Sequence, residues 1–273
     1  MKNKLNKKIK ITIILLIVIL TFIIASIIYE FSTHDNMYYK SEKNLKIPIF
    51  VYHDIVDTED EIEFEYMQTT KETFEKQMVG LMKLGYKPIT YQDLIDYNNG
   101  EKALYKHSFI LTFDDGNDGV YENAFPIAKK YNIPMTSFVI NYNVGTPGYF
   151  TWEQAKEMQD SGLVEICSHS LQHIEYDKVT PEELEKDITT SLAEIKDKLQ
   201  ADTKNVFCYP YGLFSQEGQQ KLKDIGIIQN LTDNRINESE YLNLYGLHRS
   251  YPLSDSILEI ILKIEYRTLR YGG

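Results

Sequence analysis

The run Ser108–Phe113 (SFILTF) carries no charge, is rich in aromatic and β-branched side chains, and stops at Asp114, Asp115 and Gly116. A stretch of that length bounded by turn residues has the pattern of a buried strand emerging into a loop. Two adjacent carboxylates at such a point are costly unless a cation or hydrogen-bond donors offset their charge. Further along, His169 and His173 stand four residues apart. That spacing predicts both rings on one side of a helical turn, where they reach a single ion. Alone, an Asp-Asp-Gly is most often a turn, and an HxxxH is more often a surface or core pair. Together, at the ends of two strand-like runs, they predict a hydrolytic metal site. One aspartate completes the three-ligand open set of a catalytic zinc, and the other is free to act as a base.

Strand-like and helix-like runs alternate along the rest of the chain. Residues 70–84 place Phe74, Met78, Leu81 and Met82 on one helical face, and Gly85 stops the run. Helices are predicted at 92–97, 120–131, 152–161, 180–199, 216–225 and 255–266. Strands are predicted at 87–89, 134–140, 163–167, 205–208 and 227–231. Thr180, Pro181 and Glu183 combine an N-cap, a first-turn proline and a capping-box acid. Repeated strand-then-helix order implies a parallel sheet covered by helices, and motifs at successive strand ends imply a barrel with its site at one mouth. The loop at 141–150 (NYNVGTPGYF) reads either as a sugar-groove wall or as a solvated connector.

The first thirty residues differ from the remainder. Lys2, Lys4, Lys7, Lys8 and Lys10 precede an uncharged run from Ile11 to Tyr29, long enough to cross a bilayer as a helix. The expected organisation is a cytoplasmic tip and transmembrane anchor over 1–29, a polar linker over 30–46 and one catalytic domain over 47–273. An uncleaved anchor is favoured over a signal peptide, since Ala25-Ser26 followed by two isoleucines is a poor cleavage site. A net charge of −11 argues against nucleic acid as a partner. Cys167 and Cys208 each lie in an apolar strand just before a motif and are expected as buried free thiols.

With TFDDG at 112–116, SHSLQH at 168–173 and FCYPYG at 207–212 in order, the chain resembles the polysaccharide deacetylases (carbohydrate esterase family 4, the NodB homology domain). The likeness extends to TWEQAKEMQDSGLVEICSHS at 151–170 and to IFVYHDI at 49–55, and it runs from about Leu45 to the C-terminus. It narrows the expected fold to an α/β, distorted (β/α)7 barrel behind the N-terminal transmembrane helix. It implies Asp114 as general base, Asp115 as metal carboxylate, and His169 and His173 as imidazole ligands. It also implies that the main-chain N–H of Tyr211, after Pro210, helps hold the oxyanion while an N-acetyl group is hydrolysed. The implied cofactor is a divalent metal, zinc above all, with cobalt, nickel or iron also suited to an Asp-His-His set.

The acid for the leaving nitrogen is expected from His53 or His248. The family commonly carries this histidine in a late Leu-x-His motif, here Leu247-His248-Arg249 after Gly246, whereas IFVYHD at 49–54 looks more like a strand ending in the acid. That order is similar to a circularly permuted, exopolysaccharide-deacetylase branch, so His53 is preferred. The family's motif three begins with an arginine bracing the catalytic aspartate, but this chain has Phe207-Cys208-Tyr209-Pro210. Arg249 either supplies that charge from another strand or is a surface cation. The family's Asp-Trp motif four has no clear match, since Trp152 belongs to a helix start.

The expected function is metal-dependent N-deacetylation of an N-acetylglucosamine polymer outside the cell, by a monomer anchored in the cell membrane. The polymer would be a β-linked exopolysaccharide or peptidoglycan. A glycan-binding surface protein that kept the fold and lost activity is the alternative, and a zinc amidase acting on peptide stems is a third reading.

Overall fold

The computed structural model describes residues 45–271, with side chains to Glu265, together with the backbone of Tyr38–Tyr39 and scattered residues between Lys10 and Ala25. The chain divides into two compact units, Met1–Met37 and Tyr38–Gly273. The expected anchor falls mostly outside the described residues. Its described members, including Ile13, Leu15 and Val18, are helical and exposed. Among the described residues no helix is long and apolar enough to cross a membrane. The second unit begins inside the segment expected as a linker: Tyr38–Tyr39 pairs with Leu104–Tyr105, and Leu45 is already in the core.

Seven parallel strands follow one another around a barrel in chain order: β1 (Ile49–Tyr52), β2 (Ser108–Phe113), β3 (Met135–Val139), β4 (Val164–Ser168), β5 (Val206–Cys208), β6 (Ile228–Thr232) and β7 (Leu247–Arg249). The ring shuts between its two ends through a parallel bridge from Phe50 to Ser250. There the Val51 N–H donates to Ser250 O at 3.0 Å, and the Ser250 N–H donates to Ile49 O at 2.9 Å. All six residues of β2 are buried, as its uncharged sequence requires of a strand covered on both faces.

Helices α1 (Lys71–Lys83), α2 (Tyr91–Asn98), α3 (Phe125–Tyr131), α4 (Trp152–Asp160), α5 (Pro181–Leu199), α6 (Gln216–Asp224) and α7 (Ile257–Tyr271) surround or plug the barrel. Local chemistry starts them: Thr90, Thr151 and Thr180 form full capping boxes with Asp93, Gln154 and Glu183. The distortion has two sources. The β1–β2 connection holds both α1 and α2, and the β6–β7 connection holds no α-helix, only the short strand Asn237–Glu238 and the 3-10 turn Ser239–Tyr241. Helix α2 lies across the end of the barrel where the strands begin. It buries Tyr91 and Leu94 among Ile49, Ile110, Val206 and Leu247, and the Tyr91 hydroxyl donates to Asn230 Oδ1 at 2.6 Å.

The single helix expected over 120–131 is two pieces. Val120–Ala124 is a π-helical turn in which the Phe125 N–H donates back to Val120 O, and α3 follows. Pro126 has no N–H to continue the tighter ladder, so the turn widens there. This turn packs on Asp54–Val56, the segment leaving β1 past His53. Asn123 Nδ2 donates to Ile55 O at 2.6 Å, and a Cβ on Gly119 would overlap that carbonyl and the Asp54 carboxylate. Because backbone cannot yield as a side-chain tip does, Gly119→Ala is expected to cost about 1–3 kcal/mol. Urea denaturation checks this, and an unchanged midpoint would refute the close approach.

Candidate active site

Every strand end except that of β3 delivers a side chain or turn to one mouth of the barrel. His53 follows β1, Asp114 and Asp115 follow β2, His169 and His173 follow β4, Tyr211 follows β5, Thr232 ends β6 and Arg249 ends β7. A cavity of about 620 Å³ opens there, lined by the two aspartates and by His53, His169, His173 and Tyr211.

Asp115 is the convergence point. Its Oδ1 lies 3.5 Å from Nε2 of His169 and 3.5 Å from Nε2 of His173. Oδ1 is buried and has no hydrogen-bond partner. Ligands about 2.1 Å from a tetrahedral ion stand about 3.4 Å from each other, so the observed spacing fits a zinc-sized divalent cation. The rings are prepared as ligands. His169 Nδ1 donates to Cys208 O at 2.8 Å, which leaves the Nε2 lone pair facing Asp115. Burial pushes the His169 pKa down to about 3 and also lowers that of His173, so both stay neutral. Burial and the neighbouring Asp114 charge push Asp115 up to about 7. An orphaned carboxylate oxygen between two neutral imidazole nitrogens calls for a cation.

The histidines do not sit on a helical turn. Residues 169–175 form a loop in which Ser170 (φ 77°) and His173 (φ 58°) are left-handed. The four-residue spacing works because of side-chain bonds to the backbone. The His173 N–H donates to Ser170 Oγ at 2.8 Å, and the Leu171 N–H donates to Asp187 Oδ1 of α5 at 3.1 Å.

Asp114 is held by Arg249, the last residue of β7. The guanidinium grips the carboxylate in two-pronged fashion, Nη1 to Oδ1 at 2.7 Å and Nη2 to Oδ2 at 2.6 Å. Nη1 also donates to Thr112 Oγ1 at 3.2 Å, and Nη2 donates to Thr232 Oγ1 at 2.7 Å and to Cys208 Sγ. Burial would raise the Asp114 pKa, but Arg249 overrides it and holds the carboxyl well below its ordinary value. Arg249 is fully buried, so it is no surface cation. The side chain at the motif-three arginine position is Cys208, whose thiol burial keeps protonated. Both cysteines are free and buried.

His53 lies in the same cavity with its ring stacked on Tyr251, centroids 5.8 Å apart and planes 9° apart. Its Nδ1 is buried without a partner, and burial lowers its pKa although the Asp114 charge opposes this. His248 points elsewhere. Neighbouring strand residues face opposite sides, so an inward Arg249 puts His248 outside, where Nδ1 meets Asp233 Oδ2 at 2.8 Å. Pro210 opens a 3-10 turn in which Tyr211 is left-handed (φ 58°) and 65% exposed. The Tyr211 ring meets His173 edge-on at 4.5 Å. The Gly212 and Leu213 N–H groups are bonded within the turn, whereas that of Tyr211 donates to no protein acceptor among the described residues.

Sequence reasoning did not find Thr112, Thr232, Tyr251, or the wall formed by Tyr66, Met67 and Leu253 where motif four was missing. Thr112 stood in the TFDDG motif as a polar residue in an otherwise apolar strand, which was a usable signal. Thr232 ends β6, and the others come from loops with no pattern.

Known proteins are similar to this chain in sequence and fold. The sequence pattern of the polysaccharide deacetylase family matches residues 101–229. Protein YxkH of Bacillus subtilis (strain 168) is 29% identical over 210 residues, covering 77% of this chain and 72% of its own. The poly-β-1,6-N-acetyl-D-glucosamine N-deacetylase of Staphylococcus aureus (strain MRSA252) is 30% identical over 179 residues, 60% of this chain and 61% of that protein. Among solved structures, Streptococcus pyogenes deacetylase PplD superposes with a TM-score of 0.73 at 23% identity, over 81% of this chain and 99% of that one. IcaB from Ammonifex degensii does so at 0.69 and 26%, over 82% and 98%. Residues 101–229 thus carry the pattern of the polysaccharide deacetylases, hydrolases that act on carbon–nitrogen bonds.

The raised pKa of Asp115 has a stability consequence in the metal-free protein. Below the ordinary aspartate pKa, near 4, the carboxyl is protonated in both folded and unfolded chains. As pH climbs toward about 7 the unfolded chain ionises first, and folding loses stability across that window. Metal-free Asp115→Asn is therefore expected to be more stable than metal-free wild type at about pH 8, by on the order of 2 kcal/mol, with the gap closing near pH 4. Thermal melts at both pH values check this. An equal or lower midpoint for the variant at the higher pH would contradict it.

Proposed function

We propose that the chain is a metal-dependent polysaccharide N-deacetylase, and that its substrate is a β-linked N-acetylglucosamine polymer. One observation carries the reading: Asp115, His169 and His173 converge on a cation-sized gap directly beside an Asp114 kept ionised by Arg249. Asp115, His169 and His173 would hold a divalent cation, which would supply Lewis-acid activation of water and of the acetyl oxygen. Asp114 accepts the proton that the attacking water loses as its oxygen bonds to the acetyl carbon. The Tyr211 N–H faces the oxygen that gains charge. The carbon–nitrogen bond then breaks, His53 delivers a proton to the departing nitrogen, and acetate and the free amine leave.

Support for the polymer comes from the staphylococcal relative, whose named substrate is poly-β-1,6-N-acetyl-D-glucosamine. The chain matches only 61% of that protein, so peptidoglycan is the competing substrate for assay. The first strand's histidine supports the permuted order over a late Leu-x-His acid, because His53 lines the cavity and His248 does not. The missing motif-three arginine and the unmatched motif four are the two grounds for an inactive glycan binder, and Arg249 on Asp114 answers the first. Membrane anchoring through 11–29 and an extracellular catalytic domain rest on the lysine-flanked apolar run.

Asp114→Asn is expected to lower acetate release from the polymer by roughly 10³-fold, at the upper end of what a positioned base contributes. Chelation should do the same reversibly, and release at the wild-type rate after either treatment would refute the reading. His53→Ala is expected to reduce kcat by about 10²-fold with bound metal unchanged by elemental analysis. An unaffected kcat would remove His53 from the acid role.

A further inference from the structure

The opposite end of the barrel, away from the catalytic mouth, carries two cavities of about 540 and about 220 Å³ that share Gln92 and Lys204. Both border α2, the helix that plugs this end, the larger along its length and the smaller at its start. One wall is α2 itself; the other is the set of turns feeding β3 to β7. A trough with shared lining admits a linear chain more readily than a compact metabolite.

Its chemistry is uncharged hydrogen bonding over an apolar floor. Side-chain amides of Asn98, Asn99, Asn205 and Asn243 line the larger cavity, above Ile228 and Leu244. An amide donates and accepts at once, which matches sugar hydroxyls and N-acetyl groups. Asn98, Asn99 and Asn205 are exposed, so their side-chain amides are open to a ligand. The two cations are already engaged: Lys204 Nζ stands 3.4 Å from Glu165, and Lys223 Nζ sits over the Tyr245 ring at 5.6 Å. With its lysines occupied and a chain carrying net −11, the trough is poorly suited to phosphate or another polyanion.

We infer that this trough is a second glycan-binding site, which takes a neutral N-acetylated stretch of the polymer and tethers it while another stretch is processed at the catalytic mouth. The identity of the glycan rests on the function proposed above. The trough itself does not. A tether of this kind raises the local concentration of substrate without adding a contact to the reacting sugar.

The test uses the full chain and a β-1,6-linked N-acetylglucosamine hexasaccharide. Hydrogen exchange is expected to slow at 92–99 and 242–245 as well as around Asp114 and His169 when the hexasaccharide is added. Inorganic phosphate should produce no protection in the trough. The double variant Asn98→Ala, Asn205→Ala removes two hydrogen-bonding side chains and is expected to raise KM for the long polymer about tenfold. Its kcat/KM on a trisaccharide, too short to reach both ends, should stay at the wild-type value. Absence of protection at 92–99 in the wild type, protection by phosphate instead, or an unchanged polymer KM in a variant that melts normally would overturn the inference. Should the hexasaccharide protect the trough while no acetate is released from any N-acetylated substrate, the second site stands and the deacetylase reading falls.

Discussion

The buried pair of Arg249 with Asp114 settles how the two adjacent carboxylates divide their work. Neither carboxylate has intrinsic priority, and two such charges side by side repel. Arg249 arrives from β7 and occupies both oxygens of Asp114, which keeps that residue ionised. Asp115 then bears the repulsion and the burial alone, and its pKa rises to about 7. Its relief is a cation, and the two neutral imidazoles stand where that cation would bind. Removing one partner from a buried pair of this kind typically costs about 3–5 kcal/mol, because the other charge is left uncompensated. The guanidinium also touches Thr112 of β2, Thr232 of β6 and Cys208 of β5, and stands 5.4 Å from the Phe138 ring of β3. One side chain thus ties most of the barrel's strands to the base.

The rigidity around the pair has a backbone counterpart. Asp115, Ser170, His173 and Tyr211 are all left-handed, a conformation that costs a non-glycine residue about 1–3 kcal/mol. For the histidine loop the compensation is visible. Ser168 Oγ meets Ser191 Oγ at 2.7 Å, Ser191 Oγ donates to Asn141 Oδ1 at 2.7 Å, and the Asn141 N–H donates to Ser170 O at 3.1 Å. This buried chain of hydroxyls and an amide links α5 to the loop. It sets the direction of two rings that a regular helix would otherwise have had to aim.

What was legible in the sequence follows from how local each signal is. The strand Ser108–Phe113 could be read to the residue because its burial is written into six consecutive uncharged side chains. The Thr180 cap with Pro181 and Glu183 marked the start of α5 for the same reason. The His169–His173 spacing was misread as helical because spacing alone does not distinguish a helix face from a loop folded by serine side chains. Arg249 was harder still. Strand β7 is three residues long, too short for alternation to show which of His248 and Arg249 points inward. Only its register against β6, with Thr232 opposite Arg249, decides the matter. An arginine moved from β5 to β7 leaves no local trace except the cysteine in its place.

Chain order adds a consequence of its own. The metal-ligand residues follow β2 and β4, within one continuous stretch of the barrel, and the sequence between them is short compared with the whole domain. His53 and Arg249 come from β1 and β7, which meet only through the Phe50–Ser250 bridge that shuts the ring. Closing so long a loop is paid in chain entropy before any contact across it forms. The ligand set can therefore assemble on the open sheet, with His53 beside it because β1 pairs directly with β2, whereas the brace takes its position only when the barrel closes. A chain that has gathered its metal ligands but not shut its ring would hold Asp114 ionised by nothing. The catalytic geometry is thus coupled to closure through Arg249, not through the residues that would hold the ion.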